Sequence, residues 1–264
     1  MTHTAPPDSR YFIEALRRGI NILEAFDRDS PWLGLIEIAE KVELDKSTVF
    51  RFVYTLEQLG YLERNPETKK YRPGLKVLNL GFTLLHNLGI VELAQPYLKR
   101  VHEQCGETVN MTVREGDEIV YVARVGSSQI VSVNLSIGSR LPVHCTAMGK
   151  VQLIDMPQDA LAALLGPEPY RQMTPKTVTT LGGLLADLEE ARARGYGLND
   201  EELAVGLRSV AAPIRGSGSE IVAAINISVP SMRVTRRELK TQLAPLITDA
   251  ARTLSAALGA TPST

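Results

Sequence analysis

DKSTVFRFVYTLEQLGY, running from Asp45 to Tyr61, is the stretch whose reading decides the fold. Its apolar residues fall at Val49, Phe52, Val53, Leu56 and Leu59, the roughly 3.6-residue period of an amphipathic helix. Asp45 or Ser47 can cap the start, because either side-chain oxygen can accept from free first-turn amides. Gly60 can end it, since glycine tolerates the left-handed cap. The other face carries Lys46, Ser47, Thr48, Phe50, Arg51 and Tyr54. Hydroxyl, cationic and aromatic groups at a helix start suit a recognition helix, which sets its N-terminal residues against base edges and its cations on phosphates. A merely solvated face would look the same, so the flanking residues must decide.

Upstream, Leu35 to Val42 reads as a short amphipathic helix, followed by a tight turn at Glu43 to Asp45. Short helix, turn and longer helix is the helix-turn-helix order. Downstream, residues 61–64 and 70–72 flank a polar Asn65-Pro66 segment and read as a hairpin. A hairpin directly after a recognition helix is a wing. Arg64, Lys69, Lys70 and Arg72 put cations on it, where a phosphate backbone would lie.

With these residues in hand, residues 11–81 resemble the winged helix-turn-helix domain of the IclR family of bacterial transcriptional regulators. The matching runs are Ala15 to Ile20, Glu37-Ile38-Ala39, Lys46 to Arg51, Thr55-Leu56, Leu59 to Arg64, Tyr71 to Gly74 and Leu78 to Gly81. The resemblance implies double-stranded operator DNA as a partner, and adds Arg17 and Arg18 of the first helix to the candidate contacts. Two positions depart from the family pattern. Ile36 stands where a serine or threonine usually caps helix 2, so that cap is missing or supplied differently. Glu43 stands where the turn usually has glycine, so it must accept a less favourable backbone or a different turn.

The 264 residues suffice for two ordinary domains. An apolar content of 44% and a charged content of 22% fit a soluble globular chain. No apolar run approaches the roughly 20 residues of a membrane span, and MTHTAPPDSR lacks the apolar core of a signal peptide. The expected location is the cytoplasm, with no membrane partner. The two cysteines, Cys105 and Cys145, form no metal spacing, and no cofactor motif is present. A net charge of −1 means that any DNA-binding surface must come from sorting charges, with cations gathered on the recognition helix and wing.

In chain order, residues 1–9 read as a disordered tail and 10–73 as the winged domain. Its first helix runs from Tyr11 to Phe26, with Ile13, Leu16, Ile20 and Leu23 as the core stripe. Trp32 is expected to cover the core edge. Residues 74–89 read as a linker helix, apolar on most sides. In the family the matching helix lies between domains and contributes to dimer contacts, which implies a homodimer or homotetramer. Residues 90–259 read as an α+β domain, with 260–264 as a tail. Its expected strands are Val109 to Arg114, Glu118 to Val125, Gln129 to Leu135, Tyr196 to Leu198, Arg208 to Arg215 and Glu220 to Val229. Expected helices are Ile90 to Gly106, Thr146 to Met156, Pro157 to Leu165, Thr180 to Arg194 and Ser231 to Leu258.

This segment resembles the family's effector-binding domain, which is GAF-like, through Gly138 to Lys150, Gly195-Tyr196-Gly197 with Asp200 to Glu202, Gly206 to Ile214 and Ala223 to Ser228. Thr146-Ala147-Met148-Gly149 starts a helix, and free amides there suit a carboxylate. The resemblance implies that this segment lines an effector pocket with Asn199, Leu207, Ser209, Asn226 and Ser228. Asn226 stands where serine is common in relatives binding small keto acids, and Asn199 where an acid is common, so the ligand differs from theirs. Arg140 is a spare cation for it. Arg124 is read as a surface ion-pair partner. The runs Val120 to Val125 and Ile137 to Pro142 are similar to the subfamily regulating aromatic-acid breakdown through the β-ketoadipate route, which implies a small, aromatic acid. Two other function classes compete. His144-Cys145 could be a base and nucleophile, but neighbours on a strand point to opposite faces, and no phosphate loop, zinc motif or nucleophile elbow appears. A metabolite-binding scaffold without specific DNA binding would be favoured by Ile36 and Glu43.

Overall fold

The structure, a computed structural model, describes residues 11–27, 29–80, 89–126 and 135–260. The chain divides into two compact units, residues 1–88 and 89–264.

In the first unit, α1 spans Glu14–Glu24, α2 Leu35–Val42 and α3 Lys46–Gln58, and a two-stranded sheet pairs β1 (Leu62–Arg64) with β2 (Tyr71–Pro73). Asp45 caps α3, its side chain accepting from the Thr48 amide at 2.9 Å. Hydrogen bonds from Ser47 and Thr48 hold the Asp45 carboxyl well below the usual range. Gly60 follows the helix with φ 77°, and the Gly60 and Tyr61 amides bond back to the carbonyls of Glu57 and Leu56, the paired bonds of a Schellman ending. The turn before α3 keeps its geometry without glycine: Glu43 adopts φ 55°, ψ 42°. The start of α2 is supplied differently, because the Glu37 carboxylate accepts from the Gly34 amide at 2.6 Å and leaves Ile36 without a capping task.

Ile22, Ile38, Val49, Val53, Leu62 and Tyr71 form the buried centre of this unit. Each buried aliphatic side chain contributes about 1.5–3 kcal/mol. The expected α1 stripe is corrected: Ile13, Leu16 and Ile20 are 64%, 63% and 46% exposed, whereas Ile22 is fully buried. Helix α1 meets α3 with Gly19 set against Phe52, while Ile13, Leu16 and Ile20 face outward. Residues 76–80 are helical; the rest of the expected linker helix lies outside the described residues.

In the second unit, six antiparallel strands lie in the order β5-β4-β3-β8-β7-β6. They are β3 Thr108–Glu115, β4 Glu118–Val125, β5 Arg140–Pro142, β6 Gly197–Asp200, β7 Leu207–Arg215 and β8 Ile221–Pro230. Gly116 and Asp117 turn β3 into β4. The short β5 is a strand that the sequence reading did not find, and the expected strand at 129–135 falls on undescribed residues except Leu135. Helices α4 (Ile90–Cys105), α5 (Ala147–Leu153), α6 (Gln158–Leu165) and α7 (Leu181–Arg194) surround the sheet. The last helix, α8, starts at Arg236 rather than Ser231. Thr235 caps it, and it passes through a π segment at Leu239–Leu243 before Ala244–Ala257. Helix α5 packs on β6, β7 and β8 with α7 behind it, while α4 and α8 pack on β3, β4, β7 and β8.

Candidate functional site

The first candidate surface is the exposed face of α3. Lys46, Ser47, Phe50, Arg51 and Tyr54 are exposed and Thr48 is half-buried. The rings of Phe50 and Tyr54 sit 6.3 Å apart on this face. Among the described residues, no ion pair engages the side chains of Lys46 or Arg51. The other candidate cations are tethered. Lys70 pairs with Glu37 at 3.0 Å, and Arg72 with Glu63 at 2.7 Å while covering the Trp32 ring. Arg64 lies over Tyr71, and Lys69 Nζ donates to the Pro66 carbonyl. Arg17 and Arg18 share Glu14, whose carboxyl is lowered to about 2, chiefly by the Arg17 hydrogen bond. On α3 the cations Lys46 and Arg51 are thus left without such a tether, whereas on the wing Arg72 sits beside Glu63, Lys70 beside Glu37 of α2, and Arg64 and Lys69 against an aromatic ring and a carbonyl.

The second candidate is a cavity between α5 and the sheet. Thr146 caps α5: its hydroxyl accepts from the Gly149 amide at 3.1 Å and donates to the Pro142 carbonyl at 3.1 Å. Thr146, Ala147 and Met148 line one part of the cavity. Strand register supplies a row of polar side chains. Asn199 pairs with Ser209, Ser209 with Ser228, and Asn226 with Asn110, which lies opposite Arg124. All six line the cavity, as does Leu207. The concave space they line is about 410 Å³, part of it open to solvent.

Eight expected residues are thus brought together, and two are not. Gly149 is absent from the lining, because a Cβ there would fall 2.2 Å from the Val143 carbonyl oxygen; it is glycine so that α5 can approach that backbone. Arg140 also stays outside, held by Glu118 at 2.7 Å and Glu115 at 2.8 Å. Arg124, read as an ion-pair partner at the surface, is also among the residues lining the cavity. Asn110, Tyr121, Leu135 and Leu203 complete the wall unforeseen. A lone asparagine between Val109 and Met111 in an apolar strand was the available signal for Asn110.

Behind the wall lies a buried charge cluster. Lys150 is 2% exposed, and its Nζ donates to both Glu202 oxygens at 2.7 Å and to Asp187 at 2.6 Å. Burial pushes the Glu202 carboxyl up despite this partner. Asn199 ties the cluster to the cavity, donating to the Cys145 carbonyl at 2.9 Å and accepting from the Glu202 amide at 3.0 Å.

His144 and Cys145 sit in a turn between β5 and α5, not on a strand, so the strand argument for their separation is corrected. Their partners separate them instead. His144 Nε2 lies 3.0 Å from the Arg171 carbonyl, and the ring packs on Tyr170. The Cys145 thiol faces the Pro142 carbonyl, and burial pushes it up to about 12. Among the described residues no His, Cys, Asp and Glu group could hold a metal ion, and no helix is long and apolar enough to cross a membrane.

Two family models match the chain: the IclR helix-turn-helix domain over residues 15–66, and the bacterial transcriptional regulator IclR C-terminal domain over residues 82–256. The Pca regulon regulatory protein of Pseudomonas putida is 36% identical over 252 residues, covering 95% of this chain and 85% of that protein. A transcriptional regulator from Rhodococcus sp. RHA1 has a similar solved structure, with TM-score 0.83 and 36% identity over 94% of this chain and 98% of that one. An IclR homologue from Microbacterium hydrocarbonoxydans, solved in complex with 4-hydroxybenzoate, has TM-score 0.80 and 25% identity, covering 92% of this chain and 98% of that one.

Proposed function

This chain belongs to the IclR family of bacterial transcriptional regulators, and on that premise we propose that it is a cytoplasmic, non-catalytic regulator whose affinity for operator DNA is set by a small organic acid in the second unit. Lys46, Ser47, Thr48, Phe50, Arg51 and Tyr54 read the major groove. Lys70, Arg72, Arg17 and Arg18 exchange their internal acids for phosphates, and Arg64 and Lys69 turn from Tyr71 and the Pro66 carbonyl to do the same. The acid lies along the polar row Asn199, Ser209, Ser228 and Asn226. Its carboxylate meets Thr146, Ala147 and Met148, with Arg124 as the charged group of the wall. The observation that carries the effector reading is this cavity, polar on the sheet side and apolar at Met148, Leu203 and Leu207. The relative solved with 4-hydroxybenzoate supports an aromatic acid as its occupant. The acid binds two arrangements of the protein unequally and so biases DNA affinity.

We also propose a homodimer or homotetramer, with 74–89 as the linker. Leu16 and Ile20 on α1, and Leu75, Leu78 and Leu80 after the wing, are exposed in the single chain. Apolar surface of that extent is rarely left to water, and a dimer suits half-sites about 34 Å apart. The scaffold alternative loses its support, because Glu37 caps α2 and Glu43 makes the turn.

Fluorescence anisotropy with DNA from upstream of the protein's own gene tests the reading. Binding should survive nonspecific competitor, weaken with salt, and shift when a panel of small carboxylic acids is added. Binding that competitor abolishes would refute the regulator reading, and an affinity blind to every acid would refute the effector.

A further inference from the structure

Glu201 follows β6 with φ 65°, a left-handed conformation costly to a residue with a side chain and kept only where the surroundings over-determine it. Its backbone is fixed. The amide donates to the Leu207 carbonyl at 2.9 Å, and the carbonyl accepts from Thr174 Oγ1 at 2.7 Å. Its carboxylate joins two different parts of the fold. Oε1 accepts both from the Gly206 amide at 3.1 Å and from the Ser231 hydroxyl at 2.7 Å, while Oε2 accepts from Lys176 Nζ at 2.6 Å. Gly206 belongs to the turn flanked by Leu203 and Leu207, both of which line the cavity. Ser231 opens the lead-in to α8. No side chain among residues 231–234 is buried, so polar bonds hold this lead-in. Arg208 on β7 donates from one terminal nitrogen to the Ser231 and Val234 carbonyls at 2.8 and 2.9 Å, and Arg233 pairs with Glu107 just after α4. Helix α8 in turn packs on α4, which opens the second unit.

We propose that Glu201 is the coupling residue of this regulator, its Oε1 passing a displacement of the 203–206 turn by a bound acid to Ser231 and the start of α8. The inference rests on the reading of the cavity as the acid site and of α3 as the DNA surface. Glu201 belongs to neither and acts as a positioning residue. Because one oxygen serves both donors, a shift of Gly206 turns the carboxylate and changes its bond to Ser231. Arg208 is the pivot about which the lead-in then moves. A π segment at Leu239–Leu243, close to the start of α8, packs on β7. Such segments interrupt the regular helical ladder and are frequent at functional sites. This one lets the first turn of α8 adjust without unwinding the rest.

Fluorescence anisotropy of the full chain on DNA from upstream of its own gene gives the operator Kd with and without benzoate, 4-hydroxybenzoate, phenylacetate, pyruvate or adipate. The ratio of the two values is the coupling factor. At least one acid should give the unaltered protein a factor of about fivefold or more. In Glu201→Ala the factor should fall to within about twofold of one. The operator Kd without acid, and the Kd of the same acid by calorimetry on the free protein, should stay near their original values. Glu201→Gln keeps an acceptor oxygen for Gly206 and Ser231 and should retain most of the factor, whereas Ser231→Ala should lose much of it. A residue that only stabilises the fold would lower the melting temperature and leave the factor intact. An undiminished factor in Glu201→Ala, or in Ser231→Ala should the first variant not fold, would overturn the proposal and leave the acid site and the DNA surface standing. An operator Kd unchanged by all five acids would overturn the effector reading and the coupling with it.

Discussion

Replacing Lys150 by methionine keeps the length of the side chain and removes its charge. Glu202 is then left 8% exposed with no cation beside it. Taking one partner out of a buried pair costs about 3–5 kcal/mol, because the remaining ion has lost both water and counter-charge. Asp187 adds little, since its side chain is 34% exposed and remains hydrated. For a unit of this size each kcal/mol moves the melting temperature by about 2–4 °C, so a fall of roughly 6–20 °C follows. The pH dependence has a definite sign. Burial already holds the folded Glu202 carboxyl above its ordinary value, and removing Lys150 raises it further. A carboxyl raised on folding favours folding when protonated, so the penalty develops as pH rises through the unfolded value toward the folded one. Urea denaturation at fixed protein concentration should therefore show a larger loss near pH 8 than near pH 5. Adding Glu202→Gln should restore part of the stability, because no charge is then left buried. A loss below about 1 kcal/mol, or an equal loss at both pH values, would refute the assignment of this pair as buried and mutually dependent. Because the Glu202 amide bonds to Asn199, acid binding should weaken in the same variant.

Arg51→Ala should weaken operator binding by about 1–3 kcal/mol and leave acid affinity and the melting curve unchanged; anisotropy showing full affinity removes Arg51 from the contacts. Glu43→Gly should stabilise the first unit by roughly 0.5–1 kcal/mol, since φ 55° strains any side chain but not glycine; a lower midpoint in thermal melts would contradict this. Gly149→Ala should cost about 2 kcal/mol or more, because its Cβ would sit 2.2 Å from a backbone oxygen; a wild-type denaturation midpoint would show that the close approach is not needed. In hydrogen exchange, a bound acid should slow residues 203–207 more than the α5 backbone, and the opposite order would count against entry from that side.

The α3 helix was legible because its signals are local: a capping aspartate, an apolar period and a glycine at the end. The turn at Glu43 was legible as a compromise, and the structure realises it as one. The α1 stripe was misread because Ile13, Leu16 and Ile20 have the spacing of a buried face. Spacing says that a face is apolar, not which molecule covers it. The polar row in the second unit was read through the resemblance for Asn199, Ser209, Asn226 and Ser228. Asn110 escaped because it joins them only when β3 pairs with β8, more than a hundred residues away in sequence. The place of Arg140 escaped for a related reason. Nothing local announces that Glu115 and Glu118 converge on Arg140 when β5 forms.

How firmly each wall of the cavity is held decides where a response to ligand can begin. The first turn of α5 is poorly suited to move. Gly149 rests on the Val143 backbone, Thr146 bonds to Pro142, and Lys150 is held by two carboxylates. The row on β6, β7, β8 and β3 is fixed by the sheet ladders. Leu203 to Gly206, between β6 and β7, is held more lightly. It forms a turn with Val205 70% exposed, and its Gly206 amide bonds to the Glu201 carboxylate. That carboxylate also takes hydrogen bonds from Lys176 and Ser231, so displacing the turn rearranges these polar contacts and disturbs the small buried cluster that Leu203 forms with Cys145 and Leu207. A wall that yields on one side against a rigid floor on the other converts ligand volume into directed movement. The free energy for that movement has to come from the difference in ligand affinity between the closed and open walls.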